Sequence, residues 1–269
     1  MLKIITKIEF KPNENKMKSV ADTFTAKKIF NSRKSENLRF LLQQRFDWMN
    51  NFIKDNDTGI EFGSGAGFAK YYIKNKNFKM SDLSTDDHLD YKSIDAQKTS
   101  FENEKFNYVI ASNMIHHISF PIKFFREMHR ILKKNGRLII FESYCSIFFQ
   151  LATIIMKHEG FDFTKNVWDE KEPKSNESDA WAGNIAVPHL IFDDVEGFKK
   201  NLGKLFIIEY EELTECLIFL NSGGVTSKTF YVPLPVFLLK FLNFIDRILI
   251  KFFPNIFCMG RRIVLRKLV

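Results

Sequence analysis

Cysteine is scarce in this chain. Its three residues, Cys145, Cys216 and Cys258, are odd in number and have no C-x-x-C spacing. That argues against a disulfide framework and against a structural zinc site, and a reducing, cytoplasmic setting is the expectation. Runs of one charge are also missing. Lys and Arg total 40 against 32 Asp and Glu, a formal +8, yet no block of five or six basic residues occurs. No nucleic acid partner is therefore expected. No stretch reaches the roughly 18 to 20 apolar residues that span a bilayer. The longest candidate, "FYVPLPVFLL" at 230–239, is short and holds two prolines. The opening "MLKIITKIEFKPNENKMKS" is broken by Lys and Glu and lacks the continuous apolar region of a secretory signal. There is no internal repeat and no low-complexity tract.

What is present is 269 residues with 45% hydrophobic content, enough for a single α/β domain with insertions. Residues 1–57 read as an N-terminal arm or lid followed by a helix, in which Leu38, Leu41, Leu42, Trp48, Met49, Phe52 and Ile53 mostly recur at three-and-four spacing. From residue 58 short apolar runs alternate with helical stretches, the pattern of a sheet with crossover helices. Strands are predicted near 58–62, 78–81, 92–94, 107–112 and 137–142. A helix "FAKYYIKN" is predicted after the glycines, and another over "PIKFFREMHRILKKN" that closes at Asn135-Gly136. Residues 144–192 are less regular and read as an insertion above the strand ends. Residues 193–269 return to regular structure: a helix started by Asp193 or Asp194, a strand "KLFIIEYEEL", a Phe-rich helical segment and a last strand at 260–268.

"GIEFGSGAGF" at 59–68 carries the chemistry. Backbone approaches a ligand closely only where no Cβ intervenes, so Gly63, Gly65 and Gly67 form a turn on which a ligand can lie. A dinucleotide fingerprint would need its third glycine at 68, where this chain has Phe68. Glu61, two residues before the first glycine, would repel a pyrophosphate but suits a ligand with an ammonium and a sulfonium. At the next strand end Asp82 is placed to accept two ribose hydroxyls. After the third, Asp95 can receive an exocyclic amine, with Ala96 and Gln97 beside it.

These residues, with "SD" at 81–82, "IDAQKTSF" at 94–101, "FNYVIASNMIHHI" at 106–118 and "FFREMHRILKKNGRLIIFES" at 124–143, resemble the class I S-adenosylmethionine-dependent methyltransferases, specifically the bacterial "lHHi" group. The resemblance implies a Rossmann-like, seven-stranded, mostly parallel sheet with helices on both faces and the last strand antiparallel, inserted between two others. It implies S-adenosyl-L-methionine as the cofactor. The methionine portion falls to Gly63, Ser64, Gly65 and Gly67 with Glu61 in support, the ribose to Asp82 and Leu83, the adenine to Asp95 and Ala96, and the amino-acid end to Ala111 and Asn113.

On the acceptor side His116 and His117 follow the fourth strand. A neutral imidazole there can take a hydroxyl proton near pH 7, and His117 is the preferred base. Glu142 and Tyr144 border the same face, and the insertion adds His158, Glu159, Trp181, Asn184 and His189, of which Tyr144, Trp181 and Asn184 are the acceptor-binding candidates. H-E-x-x-H is absent, and no metal is expected. In the C-terminal segment Lys240, Asn243, Asp246, Arg247 and Lys251 fall toward one side of a helix whose remaining face is apolar. Over residues 233–259 such a helix either lies in a membrane interface or packs on its own sheet or a second subunit, and packing is the usual fate of amphipathic helices in globular domains. The reading is an enzyme that methylates oxygen on a small molecule or a cell-surface or lipid-linked precursor, in the cytoplasm or at the inner face of the membrane. A non-catalytic binding or membrane-associated protein on the same scaffold is the alternative, and a nucleotide-dependent oxidoreductase is disfavoured by Phe68 and Glu61.

Overall fold

A computed structural model describes residues 9–11, 19–32, 35–157, 159–176, 179, 182–225 and 229–269. Among the described residues the central sheet has six strands: β2 (Gly59–Phe62), β3 (Phe78–Ser81), β4 (Phe106–Ser112), β5 (Leu132–Ser143), β7 (Phe206–Thr214) and β8 (Gly260–Lys267). Their spatial order is β3-β2-β4-β5-β8-β7. Strands β3, β2, β4 and β5 are parallel, and β8 runs antiparallel between β5 and β7. The placement of that last strand is the expected one. Two residue pairs of β1 (Glu9–Phe10) and β6 (Phe161–Asp162) form a separate ribbon.

Strand period two sorts the core into two layers. Phe62, Val109, Ala111, Leu138, Ile140 and Leu265 point to one face, where α3 (Pro121–Ile131), α5 (Val187–Phe192) and α6 (Val195–Leu202) pack through residues such as Phe125, Ile191 and Phe198. Tyr108, Ile110, Ile139, Phe141 and Val264 point to the other, covered by α1 (Ser19–Phe30) and α2 (Glu36–Phe46) through Phe30, Leu38 and Leu42. The fold is therefore a mixed α/β, Rossmann-like layer structure. Beyond β1, the described part of the N-terminal arm is helix α1, packed on this core, with Thr23 reaching the cavity below.

Two predicted elements are absent. No strand forms at 92–94, because Ser93 has φ +55°, which breaks the extended backbone, and only a single bridge joins Ser81 to Tyr91. Among the described residues the sheet therefore has six strands. After the glycines only a short 3-10 turn forms, Phe68–Tyr71. Asn50 accounts for the stop: its side chain donates to the Tyr72 carbonyl at 3.0 Å and accepts the Lys74 N–H at 2.9 Å, diverting groups that a further helical turn would need. Helix α3 likewise ends at Ile131, short of Asn135-Gly136, and β5 begins at once. Asp194 caps α6 as expected, accepting from Gly197 N–H at 3.0 Å.

The insertion holds α4 (Ile147–Met156), β6 and α5. The C-terminal segment holds α7 (Leu217–Leu220), α8 (Val236–Phe252) and α9 (Pro254–Phe257). Helix α8 sits the other way round from an ordinary core helix. Asp246, expected on the solvated side, is buried and accepts the N–H groups of Cys216, Leu217 and Ile218 at 2.8–3.1 Å, while Phe237, Phe241, Phe244 and Phe252 face outward. The carboxylate serves the open N-terminus of α7, and that anchorage fixes the roll of α8. Asp246→Ala should destabilise the fold by about 2–4 kcal/mol in urea unfolding, since three buried donors lose their acceptor. A loss under about 0.5 kcal/mol would show that the roll is set by packing alone.

Candidate functional site

The turn after β2 is built from three left-handed glycines, with φ of +67°, +48° and +74° at Gly63, Gly65 and Gly67. They serve different ends. A Cβ at Gly63 would meet Met114 Cγ at 2.6 Å, and one at Gly67 would meet His88 Cδ2 at 2.7 Å, so these two admit neighbouring side chains. A Cβ at Gly65 would meet nothing within 4 Å. Gly65 is thus the point where bare backbone faces open space. Its N–H donates to Asp82 Oδ2 at 2.9 Å, and Asp82 Oδ1 accepts from Ser84 N–H at 3.0 Å, so one carboxylate ties the turn to the end of β3.

One cavity of about 900 Å³ lies over the carboxyl ends of β2 to β5. It brings together Glu61, Gly63, Ser64, Gly65, Asp82, Leu83, Asp95, Ala96, Asn113, His116 and His117. Asp95, in the loop after the 92–94 stretch where no strand forms, reaches the same space, and its Oδ1 accepts from Gln97 N–H at 2.8 Å. Four expected residues stand elsewhere. Gly67 packs under the turn against His88. Ala111 is fully buried in the core, its small side chain pointing away from the cavity on a strand of alternating direction. Tyr144 donates its hydroxyl to Asn255 Oδ1 at 2.6 Å and lies under the Arg261 guanidinium, 4.9 Å from the ring centre. Asn184 is a buried staple: its Oδ1 accepts from Asp162 N–H at 2.9 Å and Ala186 N–H at 3.1 Å, and its own N–H donates to the His116 carbonyl at 2.8 Å. Trp181 and His158 lie outside the described residues.

Glu61 is 2% exposed, and burial pushes its carboxyl up to about 8, against a hydrogen bond from Ser64 and with Asp82 adding to the rise. Its Oε2 has no hydrogen-bond partner among the described residues. An unmatched buried acceptor on a cavity wall suits a ligand cation.

The opposite wall is a chain of acids and histidines. Glu142, at the end of β5, accepts from Met114 N–H at 2.6 Å and Ile115 N–H at 2.5 Å, and meets His116 Nδ1 at 2.7 Å. The other face of that ring lies 3.3 Å from Glu159 Oε2, and Glu159 Oε1 lies 3.6 Å from His117 Nε2. Burial works against charge on His116, but the two flanking carboxylates outweigh it and push the ring up to about 10, so it is an imidazolium at neutral pH. Glu159 was one of several acids in the insertion by sequence, and its meeting with the histidine pair depends on how the insertion folds back. His116, His117 and Glu159 each offer a ligand atom within 4.8 Å of the others, the kind of grouping that can hold a metal ion. The linear spacing gave no sign of it. In the arrangement described here a proton on His116 joins the two carboxylates.

No sequence motif marks the floor beyond the histidines. Phe149, Thr153 and Met156 of α4 and Phe219 after β7 line it, and Arg45 enters from α2. Arg45 is itself held by a buried bidentate pair with Glu215, at 2.7 and 2.8 Å.

Residues 61–140 match the model of a family described as a methyltransferase domain, a stretch that carries the glycine turn, Asp82, Asp95 and both histidines. No curated protein matches the chain. Among solved structures, an S-adenosylmethionine-dependent methyltransferase of Methanosarcina mazei is 14% identical, with 83% of this chain and 98% of that one covered and a TM-score of 0.47. A Listeria monocytogenes protein provisionally described as an S-adenosylmethionine-dependent methyltransferase is 15% identical, with 87% and 100% covered and a TM-score of 0.47. The domain match implies S-adenosyl-L-methionine as cofactor. The site fits it: an open backbone at Gly65, the carboxylates of Asp82 and Asp95 on one cavity and the unmatched Glu61 oxygen.

Two outcomes are expected by calorimetry. Asp82→Ala should weaken S-adenosylhomocysteine binding by about 10- to 100-fold, the worth of hydrogen bonds to a charged group. Glu61, protonated at pH 7 without ligand, should release a proton when the ligand ammonium arrives, seen as heats that differ between buffers of different ionisation enthalpy. A raised folded-state value also means that the ligand-free protein loses stability as pH rises from about 4.5 through about 8. Glu61→Gln should remove both the proton release and this pH dependence.

Proposed function

We propose that this protein is an S-adenosylmethionine-dependent methyltransferase of the group with a His-His pair after the fourth strand, acting on a hydroxyl oxygen of a small-molecule or lipid-linked acceptor. The observation that carries the reading is the opposition, within one cavity, of the Gly65–Asp82–Asp95 wall and the His116–His117–Glu159 wall. When bound, S-adenosyl-L-methionine supplies a methyl group on a sulfonium. Asp82 would accept the ribose hydroxyls, Asp95 and the Ala96 backbone would meet the adenine edge, and Glu61 would receive the ammonium. In-line displacement needs alignment above all, and a rigid glycine turn anchored by Asp82 provides it.

The acceptor side handles the proton. His116 is held as an imidazolium by Glu142 and Glu159, so it is not the base. His117 Nε2 would take the proton from the acceptor hydroxyl as the methyl passes from sulfur to oxygen, the S–C bond breaking to leave a neutral thioether as the O–C bond forms, and Glu159, 3.6 Å away, would offset the positive charge on the ring. Gly183 of the insertion lies against both rings, where a Cβ would meet His116 Cδ2 at 2.7 Å and His117 Nδ1 at 3.0 Å.

The first test is ligand choice. S-adenosylhomocysteine should bind with measurable heat and a nicotinamide dinucleotide should not, and the reverse result would end the proposal. The second uses methyl-labelled cofactor with hydroxylated small molecules and lipid extracts as acceptors. His117→Ala should lower turnover by about 10²- to 10⁴-fold with S-adenosylhomocysteine affinity unchanged. Unaltered turnover would return His117 to a packing role.

A further inference from the structure

Helix α4 has two working faces. Phe149, Thr153 and Met156 line the cavity, while Phe148, Leu151 and Ile155 turn outward, Ile155 being 75% exposed. Helix α8 adds Phe237, Phe241, Phe244, Ile248 and Phe252 to the outside, with Phe237 at 69%. The two helices are joined by α9, which contacts both, and the Phe148 ring meets Phe257 edge-on at 4.8 Å. The result is a contiguous apolar surface of a kind that a chain alone in water rarely keeps.

The exposed charges on the two helices have one sign. Lys157 at the end of α4 and Lys240, Arg247 and Lys251 along α8 are exposed, and the one acid in either helix, Asp246, is buried under α7. Glu212 of β7 acts electrostatically on Arg247 from the side. At about 100° per residue the basic side chains flank the Phe row and do not interrupt it. A second copy of the chain, docked by two-fold symmetry, would set this basic row against itself. A layer of anionic headgroups over an apolar interior is complementary to both features. Among the described residues no helix is long and apolar enough to cross a membrane, so the surface can lie on a bilayer and not span it.

We propose that the α4–α8 face docks on an anionic lipid surface, with Phe and Ile side chains at the headgroup boundary and the basic row at the phosphates. Docking stands apart from methyl transfer. Its corollary rests on the proposed function: because α4 separates the lipid face from the cavity by one helix thickness, the acceptor is a lipid-anchored hydroxyl compound presented at that surface.

The test is flotation of the full chain with vesicles of phosphatidylcholine alone and with about 30 mol% phosphatidylglycerol. The protein should float with the anionic vesicles and come off at about 0.5 M salt, where screening is short-ranged. F241S/F244S, and separately K240E/R247E/K251E, should each lower vesicle affinity by about tenfold or more. Their S-adenosylhomocysteine affinity should match the parent, which excludes unfolding as the cause. Protein left at the bottom of the gradient with anionic vesicles overturns the proposal. So does a dimer, seen by light scattering, that F241S/F244S dissolves. Flotation without any S-adenosylhomocysteine binding would instead fail the enzyme reading and leave docking intact.

Discussion

The carboxylate of Glu142 is the joint on which the acceptor wall turns. It collects N–H groups from Met114 and Ile115, where the chain leaves β4, and locks the His116 ring from beneath. The carboxylates of Glu142 and Glu159 on either side of His116 keep a proton on its ring despite full burial. The imidazolium then fixes Glu159, which belongs to a distant segment. Three parts of the chain are thereby held by one alternating series of negative and positive groups. Removing any member would strand its neighbours in a low-dielectric interior, where an unpaired charge is costly.

The cofactor wall depends on a different economy, that of missing side chains. Gly65 leaves space, whereas Gly63 and Gly67 give theirs to Met114 and His88. Asp82 joins the two demands by holding the Gly65 N–H while lying on the cavity. The same turn therefore needs glycine for conformation at all three positions and for access at only one.

Legibility from sequence followed the range of the forces involved. Strands β2, β3, β4, β7 and β8 were readable because each is a short apolar run, and Asp82 and Asp95 because they follow the second and third of the expected runs. The strand expected at 92–94 failed on a single residue, Ser93, whose backbone turns left-handed. The helix expected after the glycines failed because Asn50, about twenty residues upstream, captures its backbone groups. Gly67 and Ala111 do not line the cavity for a related reason: motif position gives proximity to a site but not the direction in which a residue points. Glu159 was visible only as one acid among several, since its partners lie far back in the chain. Asp246 was grouped with the solvated side of its helix, and nothing local reveals that three N–H groups of α7 await it.

The position of β8 has a consequence for how the chain is made. Strand β7 pairs with β8 and lies at the margin of the sheet, yet it is synthesised earlier, with α8 in between. Until residues 260–267 have left the ribosome, β7 has no neighbour to complete its ladder, and the Phe row of α8 emerges during that same interval. The nascent protein thus presents an open strand edge and an oily helix together. Such a chain gains from having a surface, lipid or chaperone, within reach before its last strand arrives.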